Sequence, residues 1–189
     1  MPVPAQSQIQ QDGAILVRFV GGAALQWIDL ATLSLIRQVQ LPPCDCAKGY
    51  PVIALFAPGG AVMFAADPAK GELLRVDLES GSITGTLLLP HAPAINHPEI
   101  ASAALSPDGK YLYMADGRGE GGLFTIRTAD LQVIAGTLDA VHLRDIWISG
   151  DGQSVYALDA NNEVFVVNAA GTRRAAVTIS SGTVLAFVR

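Results

Sequence analysis

The sequence predicts an all-β protein built from a repeated unit of four short antiparallel strands. Half of the residues are hydrophobic and only 15% are charged, as expected for strands buried on both faces between stacked sheets. The apolar runs are short and bounded by turn residues, which favours strands over helices. A turn glycine also recurs at intervals of 47, 49 and 43 residues, at Gly13, Gly60, Gly109 and Gly152.

The repeated unit is clearest between residues 101 and 138. A small apolar strand, 101–105, leads into the turn 106–109, where proline fixes φ and aspartate and glycine suit a tight corner. An aromatic and apolar strand follows at 110–115. After a glycine-rich loop come two further strands. One sheet of this size cannot bury both of its faces alone, so the unit requires neighbours.

The later strands of the unit recur in register along the chain. Second strands are expected at 14–20, 61–66, 110–115 and 153–158, third strands at 25–30, 73–78, 123–128 and 164–168, and fourth strands at 35–41, 83–89, 132–138 and 174–179. Repeats of about 40 to 50 residues with four strands each are typical of propeller blades. The sequence therefore predicts one β-propeller domain or half-domain over residues 1–189, with blades near 8–41, 52–89, 101–138 and 145–179.

These motifs resemble the YVTN-type β-propeller repeat, a WD-repeat-like family. The matching positions are the turn 106–109 with Tyr113, the turn positions 149, 151 and 152 with Tyr156, and the third-strand pairs 28–29 and 76–77. The turn 57–60 departs from the pattern because it lacks the aspartate, and the first blade retains only Asp12 and Gly13. The resemblance implies the fold but no single function, since propellers include enzymes, binding modules and scaffolds.

The two ends of the chain predict how the blades close. Residues 1–12 offer only Ile9 as an apolar anchor for a first strand, whereas residues 183–188 have the pattern of a first strand with nothing after it. We therefore expect 183–188 to complete a first blade and remove an open edge. Because the first strands are small, we expect two chains to share one eight-bladed ring, as a homodimer or within a larger assembly. A four-bladed ring closed within one chain is the alternative.

Charge and hydropathy argue against several classes of partner. The net charge is −5 and the strongest basic cluster is Arg173 with Arg174, which argues against nucleic acid and anionic membranes. Residues 49–66 are uncharged, but Pro58, Gly59 and Gly60 interrupt them, so we expect a buried hairpin rather than a membrane span. No signal peptide is expected at the N-terminus. A periplasmic or extracellular location stays compatible with a mature form or fragment.

Candidate metal ligands fall in the connections between successive blades: Cys44, Cys46, His91, His97 and His142. In a propeller these connections surround the mouth of the central channel, so thiolates and imidazoles could converge there on copper or zinc. The alternative is that these are ordinary loop residues. The two cysteines are then free thiols or a strained disulfide, and the protein has no cofactor.

Candidate ligand-binding residues lie on the same face, which carries the long connections: Tyr50, Asn96, Asp116, Arg118, Glu120, Arg144 and Asp145. Long loops on a rigid scaffold commonly hold binding residues. Asp116 has equivalents at Asp67 and Asp159, and we favour Asx turns over a ring of cation-binding carboxylates for these three. Asp29 and Asp77 are expected to cap the turn after the third strand. Trp27 and Trp147 are expected in the core.

The sequence shows no nucleophile–base motif of the common hydrolases or metalloproteases. It therefore favours a non-catalytic propeller that binds a protein or a small ligand through the loops at the channel mouth. The alternative is a propeller enzyme or electron-transfer subunit with a metal or cofactor at that mouth, as in some members of the family it resembles.

Overall fold

In the computed structural model, the described residues are 7–9, 15–20, 24–40, 53–67, 71–89, 100–117, 122–168 and 173–178. They form sixteen strands: β1 Ser7–Ile9, β2 Ile15–Val20, β3 Ala24–Asp29, β4 Leu35–Gln40, β5 Ile53–Phe56, β6 Val62–Asp67, β7 Glu72–Asp77, β8 Ile83–Leu88, β9 Ile100–Leu105, β10 Tyr111–Asp116, β11 Leu123–Arg127, β12 Gln132–Thr137, β13 Leu143–Ile148, β14 Ser154–Asp159, β15 Glu163–Asn168 and β16 Arg173–Thr178. This part of the chain contains no helix long and apolar enough to cross a membrane.

The strands form four antiparallel sheets of four strands each, β1–β4, β5–β8, β9–β12 and β13–β16, which we call blades 1 to 4. Within each sheet, strands that follow one another along the chain are paired, as the repeated pattern predicts. The all-β prediction is confirmed, and the second to fourth strands begin and end within a residue or two of the expected positions. Residues 49–66 contribute β5 and β6, which pair antiparallel as expected for a hairpin.

The first strand of blade 1 differs from the expectation. β1, residues Ser7–Ile9, pairs with β2 in the register Ser7 to Arg18 and Ile9 to Leu16. The prediction that residues 1–12 supply no first strand is therefore wrong: three residues suffice to occupy that place because they add backbone hydrogen bonds to β2. Residues 183–188, expected there, lie outside the described residues.

The chain divides into two compact units, Met1–Leu88 and Leu89–Arg189. Unit 1 holds blades 1 and 2. Its core joins Leu25 and Trp27 of β3 to Met63 and Ala65 of β6 and Val76 of β7. These residues alternate along their strands, so one face of blade 1 packs on one face of blade 2. The expected burial of Trp27 is confirmed at 5% exposure.

Unit 2 holds blades 3 and 4, which pack in the same way. Tyr113 and Ala115 of β10 share a hydrophobic core with Val155 and Ala157 of β14 and Phe165 of β15. Trp147 differs from the expectation of a core residue. It belongs to β13, pairs with Tyr156 across the sheet and is only partly buried, since it shares the face of Tyr156 rather than that of Ala157.

Every fourth strand carries a β-bulge at the same place. Between neighbouring pairs of the ladder one residue of the fourth strand has no partner: Ile36, Thr84, Ile134 and residue 174. Bulges bend and twist an edge strand and so discourage pairing with another chain. The regular bulge blunts the outer edge of each blade.

Candidate functional site

The candidate site lies in unit 2, at the end of the blades where β10 and β14 end and where β9 and β13 begin. The strand register fixes this placement. Asp116, the last residue of β10, is paired with Ile100, the first of β9. Likewise, Asp159 at the end of β14 is paired with Leu143 at the start of β13. The described residues therefore bring predicted site residues of both blades to the same end of each sheet.

The carboxylates that end the second strands are buried. Asp116 and Asp159 are 3% and 4% exposed. Oδ1 of Asp159 accepts hydrogen bonds from the backbone N–H groups of Asn161 and Glu163, at 2.9 and 2.7 Å. This Asx turn matches the expectation for Asp159. It also explains why this carboxylate contributes to the fold of the loop rather than to a free acidic surface.

β9 and β13, the first and therefore inner strands of blades 3 and 4, each contain a β-bulge at this end. In β9, Ala101 lies unpaired between the partners of Ala115 and Asp116. In β13, Arg144 occupies the equivalent place between Leu143 and Asp145. A bulge redirects the side chain of its extra residue, and bulges are frequent beside binding sites. Blade 3 has a methyl group at this place, whereas blade 4 has an exposed guanidinium.

A hydrogen bond joins β9 to β13 at the residues that directly follow the two bulges. Oγ of Ser102 donates to Oδ1 of Asp145 at 2.7 Å, and the same oxygen accepts the backbone N–H of Ile146 at 2.8 Å. Ser102 and Asp145 occupy equivalent positions in their blades. Sequence reasoning missed Ser102. Its signal was a hydroxyl within the apolar run 100–105, in register with Asp145 of the next repeat.

His142 is exposed and directly precedes the first residue of β13. Its Nδ1 is 3.2 Å from the backbone oxygen of Gly117, the residue after Asp116, and its own backbone oxygen accepts the N–H of Ala160 at 2.9 Å. The connection before blade 4 and the loop after β10 therefore meet, as expected for a propeller face. Leu143 is buried, whereas His142 and Arg144 on either side of it are exposed.

The connection that presents His142 has an unusual backbone. Leu138 and Ala140 both have positive φ, 60° and 63°, a region that residues with a Cβ rarely adopt. The backbone N–H of Val141 donates to the oxygen of Leu138 at 3.0 Å and closes this turn. Strained residues that persist beside a polar site motivate a functional hypothesis for that site.

The opposite end of unit 2 consists of closed turns. Oγ of Ser106 donates to Asp108 at 2.7 Å, and Oγ of Ser149 donates to Asp151 at 2.5 Å. Both hydroxyls also accept a backbone N–H at 2.9 Å, from Tyr111 and Ser154 respectively. The serine hydroxyls are the main cause that lowers the pKa of both aspartates below the ordinary value. These turns use their polar groups internally, as the repeated motif predicts.

In unit 1, aspartate side chains are likewise hydrogen-bonded within their own turns, where two of them cap the turn after the third strand. Oδ1 of Asp29 accepts the N–H groups of Ala31 and Thr32, each at 2.8 Å. Oδ1 of Asp77 accepts the N–H and the hydroxyl of Ser80, each at 2.7 Å. The capping role predicted for both aspartates is confirmed.

Several predicted site residues lie outside the described residues: Cys44, Cys46, Tyr50, His91, Asn96, His97, Arg118 and Glu120. Among the described residues, no group of three or more His, Cys, Asp or Glu side chains is arranged to hold a metal ion. The copper or zinc site and the wider ligand site stay predictions. Of the predicted set, Asp116, His142, Arg144 and Asp145 are placed together at one end of unit 2.

No protein-family model and no curated protein matches the chain. Among solved structures, it is similar to Kuenenia stuttgartiensis hydrazine synthase, with a TM-score of 0.72 and 18% identity over 95% of this chain and 50% of that chain. It is also similar to the β-propeller domain of Myceliophteria thermophila Cps50 (Swd1), with a TM-score of 0.70 and 14% identity over 93% of this chain and 55% of that chain.

These similarities establish the fold class. At such low identities they concern the fold alone, and they support the β-propeller that the repeats predict. The chain spans about half the length of both matched chains. The YVTN type of the repeat stays a prediction, since no family model matches.

Proposed function

We propose that this chain is a non-catalytic β-propeller module that recognises a protein or small ligand through the loop face at His142 and Arg144. The observation that carries the proposal is the difference between the two ends of unit 2. At the turn end, the serine hydroxyls and the Asp108 and Asp151 carboxylates are hydrogen-bonded within their own turns. At the loop end, a bulge presents Arg144 and a backbone contact orients His142.

Recognition fits this geometry better than catalysis does. Asp145 is held by Ser102 and by the backbone of Ile146, and Asp159 is used within its own Asx turn. The Ser102 hydroxyl that donates to Asp145 is part-buried, and the contact described for His142 goes to Gly117 rather than to this pair, so these residues do not form the serine–histidine pair used in covalent catalysis. An exposed guanidinium on a rigid strand is instead suited to bind a carboxylate, a phosphate or an aromatic ring.

We also propose that the chain supplies half of an eight-bladed ring and that a second copy completes it. The support is that the chain spans about half of two propeller-fold structures. Closed homo-oligomers with two-fold symmetry are the commonest soluble assemblies. The ring then presents two copies of the loop face.

A peptide library selected on the immobilised full-length chain tests the recognition proposal. We expect selected peptides to bind the Arg144→Ala and His142→Ala variants at least about 10-fold more weakly than the unmodified chain. The matched controls, Lys110→Ala and Gln153→Ala, lie at the opposite turns and should bind normally. Peptides that lose binding only to the control variants would show that the proposed face is wrong.

A metal analysis of the purified chain tests the alternative function. Stoichiometric copper or zinc that is lost in His142→Ala would favour a metal-dependent enzyme or electron-transfer subunit. Absence of both metals after purification without chelators, together with peptide binding at Arg144, would favour the recognition module.

A further inference from the structure

The second strands of blades 2, 3 and 4 are buried to different degrees. In β6 and in β10 every residue after the first is buried, so both faces of these strands are covered. In β14 buried and partly buried residues alternate. Because neighbouring residues of a strand point to opposite faces, blade 4 has one covered face and one that is only partly covered.

The partly covered face of blade 4 is apolar and aromatic. Trp147, Tyr156 and Val166 are directly paired across three neighbouring strands and form a row on this face. Leu158, two residues beyond Tyr156, extends it, and all four side chains are partly buried. The opposite face of the same blade contributes Ala157 and Phe165 to the core with blade 3. Aromatic residues are enriched in protein interfaces.

Blade 1 shows the complementary arrangement in unit 1. Leu25 and Trp27 of β3 cover the core with blade 2, whereas Gln26 and Ile28, on the other face, are only partly buried. Gln26 donates to Gln38 at 2.7 Å across this face. Blade 4, the last in the chain, therefore has one face that is less covered than the faces of β6 and β10, and blade 1, the first in the chain, has a partly buried face at Gln26 and Ile28.

We infer that the face of Trp147, Tyr156, Leu158 and Val166 packs on the Ile28 face of blade 1 in a second copy of the chain. The inference rests on the proposed half-ring. Two copies related by a two-fold axis would make this contact twice and close the ring, so neither face stays partly covered. We take a second copy as the occupant because the chain spans about half of both matched chains; a ring closed within one chain is the alternative, and it would leave the chain monomeric.

Single charges introduced on either face test the inference. We expect the full-length chain to have twice its 19.7 kDa mass in light scattering at micromolar concentration. Val166→Glu and Ile28→Lys should each weaken self-association at least about 30-fold, since each buries an unpaired charge at both contacts. The matched control is Ile134→Glu, on an exposed part of β12 at 43% exposure, and it should leave association unchanged.

Recombining the two charges provides a readout that loss of folding cannot imitate. The chain with both Val166→Glu and Ile28→Lys should recover association relative to either single variant, because the opposite charges meet across the contact. A monomeric unmodified chain, or a dimer that persists in Val166→Glu, would overturn the inference. Hydrogen exchange at β3, β14 and β15 that does not slow with rising concentration would overturn it as well.

The outcome is separable from that of the recognition proposal. A chain that stays monomeric but whose selected peptides still depend on Arg144 would remove the pairing and keep the loop face. A dimer whose selected peptides bind the Arg144→Ala variant normally would keep the pairing and remove the loop face.

Discussion

Ser102 and Asp145, at equivalent positions of two successive repeats, are hydrogen-bonded to each other at 2.7 Å. The contact joins the inner strands of blades 3 and 4, and Asp145 directly follows the bulge residue Arg144. Asp145 also accepts the backbone N–H of Ile146. The pair therefore fixes the start of β13, and with it the position of the neighbouring guanidinium.

Removing this contact should lower stability. Hydrogen bonds to a charged acceptor contribute about 1.5–3 kcal/mol, and Ser102→Ala should lower the free energy of unfolding by an amount near the low end of this range, because Asp145 keeps its backbone donor. A double-mutant cycle with Asp145→Asn, followed by urea denaturation, measures the pair itself. Ser82→Ala, at an exposed position, is the control and should change stability by less than about 0.5 kcal/mol. Additive effects of Ser102→Ala and Asp145→Asn would contradict the coupling.

Two leucines at equivalent turn positions should respond oppositely to replacement by glycine. Leu33 and Leu131 both have positive φ, 54° and 56°, which costs a residue with a Cβ about 1–2 kcal/mol. Leu33 is 77% exposed, whereas Leu131 is 6% exposed. Leu33→Gly should therefore raise the free energy of unfolding by about 0.5–1 kcal/mol after the entropy of glycine in the unfolded chain is subtracted. Leu131→Gly should lower it by about 1–3 kcal/mol because it leaves a cavity.

Thermal denaturation of both variants checks this pair. The far-ultraviolet circular dichroism spectrum should stay that of the unmodified chain in both. A loss of stability in Leu33→Gly would mean that the exposed leucine side chain makes a contact that outweighs its backbone strain.

Stability should fall in acid because of the serine–aspartate turns. The hydroxyl of Ser149, followed by the backbone N–H of Gln153, holds the pKa of Asp151 below its ordinary value. The unfolded chain therefore binds more protons than the folded chain as the pH falls. The stabilisation is fully present above the unfolded pKa of about 3.9 and is lost as the pH falls through the lower, folded-state value.

Melting temperatures at pH 6 and pH 3 measure this dependence. Ser149→Ala should reduce the difference between the two melting temperatures, since the hydroxyl is the largest cause of the lowered pKa. Asp151→Asn should reduce it further, because no titrating group is left at this turn. An unchanged difference in Asp151→Asn would contradict the assignment.

The strands were predictable from sequence because their signals are local. The turns 106–109 and 149–152 repeat the same residues, and the hydrogen bonds of Ser106 and Ser149 reproduce one network twice. The bulge at Arg144 was not predictable, because an extra residue in a strand shows only in its register with the partner. The Ser102–Asp145 contact also arises from packing between blades, which no local pattern encodes.

The first strand of blade 1 was not predicted from the sequence for a related reason. Residues 7–9 have little hydrophobic content to mark them as a strand, but an inner strand gains backbone hydrogen bonds from β2 whatever its side chains are. Trp147 was assigned to the core from its residue type. Its face is set by alternation from Ile146, which only the pairing with Ala157 reveals.

Two buried threonines three residues apart should respond oppositely to replacement by valine. Thr125 is 1% exposed, and its hydroxyl has no hydrogen-bond partner among the described residues. Thr128 is 8% exposed, and its hydroxyl donates to the backbone oxygen of Gly109 at 2.6 Å. A buried hydroxyl without a partner costs about 1–3 kcal/mol, whereas a typical hydrogen bond contributes about 0.5–1.5 kcal/mol.

Thr125→Val should therefore raise the free energy of unfolding by about 1 kcal/mol, and Thr128→Val should lower it by about 1 kcal/mol. Valine has nearly the same shape as threonine, so the difference reports the hydroxyl rather than the packing. Tyr113→Phe provides a second case. The Tyr113 hydroxyl is also buried without a hydrogen bond, burial raises its pKa, and Tyr113 is paired with Thr125 across β10 and β11. Urea denaturation of the three variants measures these effects. A loss of stability in both Thr125→Val and Tyr113→Phe would show that ordered water satisfies these hydroxyls between blades 3 and 4.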